Sequence, residues 1–180
     1  MTAGTVVLWR HGRTAYNATT RLQGQIDIPL DDIGRWQVEQ AAADLARRFT
    51  PTRVVASTLG RAIDTAGYLA ELVEVRVETD SRLCERAFGE WEGLAIEEIA
   101  ERWPAEYEVW KRGEDPARAG AETRASVAER IAAVIGCTAF EAGDNRPPFV
   151  VEFDIGVAEV TPAQGAGRAL EEAARRAMAT

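Results

Sequence analysis

Two kinds of apolar run alternate along this chain. Val6-Val7-Leu8-Trp9, Arg53-Val54-Val55-Ala56-Ser57 and Phe149-Val150-Val151-Glu152-Phe153 are short and nearly unbroken, as expected of strands buried on both faces. Val75-Arg76-Val77-Glu78-Thr79 alternates instead, which predicts an edge or half-buried strand. Helical patterns lie between them. Asp31 or Asp32 caps a helix running to about 49, with Arg47 and Arg48 at its negative end and Pro51 stopping it. A second runs from about 59 to 73, with Ile63, Ala66, Ala70 and Val73 as its core stripe. Short helices follow at 95–102 and 104–111, the latter with proline in its first turn. A longer one covers 122 to about 135, with Val127, Ile131 and Val134 on one face. Residues 18–29, 82–93 and 113–120 read as irregular, 143–148 as a turn, and 163–178 as a helical tail. Alternating strands and helices predict a three-layer α/β/α sandwich, its sheet mostly parallel with helices on both faces. At 180 residues, one domain over 1–180 is the simplest division.

Charge narrows the partners. A formal net charge of −8 argues against nucleic acid or an anionic membrane, so any anion site must be a local group of arginines. One histidine and two distant cysteines, Cys84 and Cys137, offer no metal-ligand spacing, so a His/Cys zinc site is not expected. The cysteines fit a reducing cytoplasm. No basic leader precedes the first apolar run, and no run approaches the roughly twenty residues of a membrane helix. Nothing in the pattern fixes an oligomeric state.

The chemistry begins where the first strand ends. The chain's one histidine, His11, stands between Arg10 and Gly12 at the carboxyl end of a buried strand, where α/β proteins place their ligands. Ser57 to Arg61 ends the next such strand and enters a helix. If those two strands are neighbours, His11, Arg10, Arg61 and free helix-start amides converge on a pocket suited to a phosphate dianion. Flanking positive charge favours the neutral, nucleophilic imidazole.

Here a resemblance enters. Arg10-His11-Gly12-Arg13-Thr14, followed by Tyr16-Asn17, resembles the signature of the histidine phosphatase superfamily, the phosphoglycerate mutase-like fold. Residues 21–30 resemble the loop after that signature, and 56–66 the family's second-arginine motif. Leu83-Cys84-Glu85 with Gly89-Glu90-Trp91-Glu92-Gly93 resembles the segment bearing its acid/base glutamate, and Gly120-Ala121-Glu122-Thr123 its later helix start. The likeness covers about 5–135. It implies that His11 attacks phosphorus to form a phosphohistidine while Arg10 and Arg61 hold the non-bridging oxygens, with Asn17 a further phosphate contact. Glu85 would protonate the leaving oxygen and then deprotonate water, with Glu90 and Glu92 as competing acids. Phe88 and Trp91 would supply its apolar wall. Arg13, Gln23 and Gly24 become substrate contacts. Trp36, Trp103, Tyr107 and Trp110 read as core or pocket wall. Hydrolysis of a small phosphorylated metabolite is the implied reaction, ahead of mutase chemistry, because no insertion between Glu85 and Glu122 would shield a phosphohistidine from water. The resemblance implies no metal or nucleotide cofactor, since the histidine and arginines can do the work of Mg²⁺.

One departure matters. The family places a second histidine after a late strand, and this chain has only one. Alignment on Gly156 puts Ile155 at that position and Asp154 before it. Loss of one such donor corresponds to about 10²–10³ in rate. Three explanations stand open for a domain that reads as atypical or truncated after about 140: a degenerate member that binds a phosphorylated ligand, a misread coding sequence beginning somewhere between Ile135 and Glu152, or substitution by another residue such as Arg146.

Overall fold

Val6–Trp9 (β1), Arg53–Ala56 (β2), Val77–Thr79 (β3) and Phe149–Glu152 (β4) form one parallel sheet. The computed structural model describes residues 6–117, 120–135 and 149–152. The turn at 143–148, the helical tail, Cys137, Arg146, Asp154 and Ile155 all lie outside the described residues. The strand order is β1-β4-β2-β3. This corrects one expectation: β1 and β2 are not neighbours, because β4 lies between them. β1 and β2 nevertheless stay buried as their unbroken apolar runs require, with Val6 and Leu8 each 1% exposed, while the alternating β3 is half-buried to exposed as an edge strand.

Six helices complete the described elements: Ala15–Ala18 (α1), Asp32–Arg48 (α2), Gly60–Val73 (α3), Ile96–Arg102 (α4), Pro104–Lys111 (α5) and Arg124–Ile135 (α6). Single 3₁₀ turns occupy Ser81–Leu83 and Gly89–Trp91. Strand order fixes the layers. The crossovers β1→β2 and β2→β3 step in one direction across the sheet, and the return to β4 steps back. Right-handed connections therefore put α2 and α3 on one face and α6 on the other. The pleat agrees. Val7, Trp9, Val54 and Ala56 join Val38 and Ala42 of α2 and Ala62, Ala66 and Leu69 of α3 in one core. Val6, Leu8 and Val55 point the opposite way and are also buried, as are Val127, Ile131 and Val134 of α6.

Two helix faces differ from expectation. The buried stripe of α3 is Arg61, Ala62, Thr65, Ala66, Leu69 and Ala70, while Ile63 is exposed. Polar Arg61 and Thr65 sit inside because backbone partners satisfy them, the Gly24 and Ile26 carbonyls for Arg61 and the Gly12 amide for Thr65, which rotates the stripe by one residue from the apolar count. Trp36 is likewise not core, being 61% exposed on α2. Trp91 is buried and packs against Trp103 and Trp110, with Tyr107 stacked on Trp110.

Candidate active site

His11 follows β1 in a segment held from three sides, and is itself buried. Its Nδ1 lies 2.6 Å from the Gly12 carbonyl oxygen. A carbonyl only accepts, so Nδ1 carries the ring proton and Nε2 is the nitrogen with the lone pair. The Gly12 amide donates to Thr65 Oγ1 of α3 at 3.3 Å. On the other side Gly12 lies against Gly34 of α2 so closely that a Cβ would collide with the Gly34 carbonyl oxygen and stand 2.9 Å from its carbon. Arg13 fastens the same junction. Its Nε donates to Asp31 at 2.8 Å, its amide to Gln37 at 3.0 Å, and its carbonyl accepts from the Asp31 amide at 3.0 Å. Asp31 caps α2 through the Gly34 amide, and that bond, with Arg13, holds its carboxyl below the usual range. Asn17 closes a capping box with Thr14 at the start of α1, its Oδ1 accepting from the Thr14 amide at 3.0 Å.

The loop 23–27 touches His11, Arg61 and the main chain of Glu85. Gln23 is buried, its Oε1 against the Thr14 hydroxyl and its Nε2 3.4 Å from His11 Nε2. Gly24 turns at φ +52°, a left-handed conformation suited to glycine. Its carbonyl accepts from Arg61 NH2 at 2.8 Å, and the Ile26 carbonyl from Arg61 NH1 at 2.9 Å. Gln25 Nε2 donates to the Glu85 carbonyl at 3.1 Å. Asp27 accepts from the Gly60 amide with both carboxylate oxygens, at 3.0 and 2.9 Å. This amends the anion-site expectation: the first amide of α3 is capped by Asp27. Arg61, fully buried on the first turn, is the cation that α3 contributes.

Glu85 lies half-buried between the two 3₁₀ turns, its Oε1 accepting from the Arg86 amide at 2.7 Å. Of its competitors, Glu90 is exposed, and Glu92 Oε1 accepts from the amides of Phe88 at 2.9 Å and Gln25 at 3.2 Å. Glu92 is thus a backbone brace. Arg86 is buried and pairs with Asp115 at 2.9 Å, its guanidinium over the Phe88 ring. Burial lowers its pKa, with Asp115 opposing that effect and Arg124 adding to it. The apolar wall expected for Glu85 is therefore altered, since Phe88 faces Arg86 and Trp91 belongs to the tryptophan cluster.

The structure thus gathers His11, Arg61 and the main chain of Glu85 around the loop that carries Gln23 and Gly24. Arg10 is exposed at the end of β1, Asn17 caps α1, and Arg13 turns toward Asp31. Thr65, Asp27, Gln25, Arg86 and Arg130 were missed by the sequence reading. Thr65 had a signal, being polar four residues from Arg61 on one helix face. Among the described residues no three His, Cys, Asp or Glu side chains cluster to hold a metal, and no helix is long and apolar enough to cross a membrane.

A buried imidazole just past a strand end and a buried arginine, bridged by one loop on a parallel α/β scaffold, form the arrangement the sequence motifs led one to expect of a phosphoryl-transfer fold. The chain belongs to the histidine phosphatase superfamily (branch 1), whose family model matches residues 6–151. It is 36% identical over 164 residues to glucosyl-3-phosphoglycerate phosphatase of Mycolicibacterium vanbaalenii, covering 88% of this chain and 72% of that protein. The phosphatase of that name from Mycobacterium tuberculosis is 40% identical over 130 residues, covering 72% of this chain but only 58% of its own length. A mycobacterial glucosyl-3-phosphoglycerate phosphatase solved with VO3 superposes with a TM-score of 0.75 at 33% identity, covering 98% of this chain and 80% of that one.

Proposed function

We propose that this chain hydrolyses a small phosphorylated metabolite through a phosphohistidine on His11. The observation that carries this reading is the Nδ1–Gly12 carbonyl bond, which presents Nε2 as the nucleophile. In the first step Nε2 attacks phosphorus, the P–O bond to the leaving group breaks, and Glu85 gives its proton to the departing oxygen. In the second, water attacks the same phosphorus, the P–N bond breaks, and Glu85 takes the water's proton. Arg10 and Arg61 stabilise charge on the equatorial oxygens, the larger part of catalysis in phosphoryl transfer. Asn17 contributes its Nδ2, since its Oδ1 serves the cap. Gln23 and Gly24 line the phosphate side. Arg13 is a substrate contact only if it leaves Asp31.

The relatives' name makes glucosyl-3-phosphoglycerate the first physiological compound to assay. The chain acts as a single cytoplasmic domain on a dissolved ester, without metal, nucleic acid or membrane. The test is hydrolysis of p-nitrophenyl phosphate, without added metal, by wild type and His11→Ala. Turnover in wild type abolished in His11→Ala is expected, and equal turnover in both refutes the reading. A second reading rests on the single histidine of this chain where the family pattern has two. It makes the protein a binder of phosphorylated ligands, and saturable vanadate binding without turnover would favour it.

A further inference from the structure

Glu85 sits in a stretch with no strand or helix of its own, between turns at Ser81–Leu83 and Gly89–Trp91. Main-chain pairing reaches it only from its flanks, through the Cys84 amide to the Ser81 carbonyl at 3.1 Å and the Glu122 amide to the Ala87 carbonyl at 2.9 Å, so side chains must complete its placement. Arg130 of α6 supplies most of that. Its Nε and NH2 fork onto the Glu122 carboxylate, both at 2.9 Å. Its NH1 donates to the Arg82 carbonyl at 2.6 Å and its NH2 to the Glu85 carbonyl at 3.2 Å. Glu122 Oε2 also accepts from the Ala87 amide at 2.9 Å. The segment 82–87 is thus pinned before, at and after Glu85 by one ion pair. From the opposite side Gln25 donates to the same Glu85 carbonyl at 3.1 Å. Both members are largely buried, with side-chain exposures of 17% and 26%, so the pair is more than a screened surface contact.

We propose that Arg130 is a positioning residue for the proton transfers of Glu85, with Glu122 setting the guanidinium's orientation. The proposal rests on the acid/base assignment of Glu85 made above. A planar fork serving one carboxylate and two carbonyls at once is a task for arginine, which lysine's single ammonium meets only in part. The role is separable from stability by leaving-group chemistry. An aryl phosphate such as p-nitrophenyl phosphate departs without a proton. An alkyl phosphate such as glycerol phosphate needs one.

The experiment compares kcat/KM for these two esters in wild type, Glu85→Gln, Arg130→Gln and Arg130→Lys. Their ratio within one preparation cancels any loss of folded protein. Glu85→Gln should lower the alkyl value about 10²-fold more than the aryl value. Arg130→Gln should do the same by about tenfold, with Arg130→Lys between it and wild type. A selective loss in Glu85→Gln beside an unchanged ratio in Arg130→Gln overturns the positioning role alone. An unchanged ratio in Glu85→Gln overturns the acid assignment and the positioning role with it, as does a wild type without turnover.

Discussion

The contact between Gly12 and Gly34 gives the sharpest test of how the fold holds His11. A Cβ on Gly12 would collide with the Gly34 carbonyl oxygen and stand 2.9 and 3.1 Å from the two adjoining backbone carbons. All three atoms are backbone, so no side chain can rotate away. Relief requires the signature segment and the start of α2 to separate by about 1 Å, since carbon contacts relax near 3.5–4.0 Å. Overpacking of this kind costs about 1–3 kcal/mol. The same displacement moves the Gly12 carbonyl, which orients His11 through the 2.6 Å bond to Nδ1. A misplacement near 1 Å lowers catalysis about 10²-fold. Gly12→Ala should therefore lose about 2 kcal/mol in urea unfolding and about 10²-fold in kcat/KM. Gly34→Ala, whose Cβ would strike the Arg13 carbonyl oxygen and lie 2.7 Å from the Arg13 nitrogen, should reproduce both losses from outside the site. Gly67 in α3 has nothing within 4 Å of a new Cβ and provides the control. Gly67→Ala should be neutral or stabilising by up to about 1 kcal/mol. Wild-type stability and turnover in Gly12→Ala would refute the close-approach argument.

Three further outcomes are expected. Burial raises the Glu122 pKa, but bonds from Arg130 and the Ala87 amide and the charges of Arg130 and Arg86 outweigh it and hold the group below its ordinary value. Its contribution to stability is therefore full above the ordinary glutamate pKa of about 4.3 and is lost as pH falls through the lowered value. Glu122→Gln should lower the thermal midpoint at pH 7 and converge on wild type in acid; a constant difference would contradict this. Asp27→Ala removes the cap of α3 and should cost about 0.5–2 kcal/mol in urea unfolding, with Asp27→Asn keeping most of it. Trp36→Ser, at an exposed position, should cost under about 1 kcal/mol, whereas Trp91→Ala, 1% exposed, should cost about 3–5 kcal/mol by the same measurement.

Much of this architecture was legible in the chain itself. The unbroken runs at β1, β2 and β4 announce strands buried on both faces, and the Asp31 cap with Arg47 and Arg48 bounds α2 within a residue. Strand order was not legible, because nothing local to Val54 or Val150 says that β4 inserts between β1 and β2. Of the site, His11, Arg61 and Glu85 were visible through the motifs that carry them. Their supports were not. Asp27 caps a helix that begins 33 residues later, and Gln25 reaches a carbonyl 60 residues away. Such contacts have no period to read. Ile63 shows the converse failure: counting only apolar residues misphases a helix whose inward face carries a buried arginine and a bracing threonine.

The partner of His11 Nδ1 bears on both halves of the reaction. A carboxylate at that place would stabilise an imidazolium, whereas a backbone carbonyl fixes the tautomer with only a partial charge. Attack by Nε2 leaves the ring with phosphorus on one nitrogen and a proton on the other, so the phosphorylated ring is formally cationic. The carbonyl does little to neutralise that charge, which weakens the P–N bond and makes the imidazole a good leaving group when water arrives. In the proposed mechanism the tautomer that presents Nε2 thus also favours turnover of the phosphohistidine. Such an arrangement would suit hydrolysis better than storage of the phosphoryl group. It would place the burden of the second step on the base that deprotonates water, the role proposed for Glu85 with the Arg130 clamp behind it.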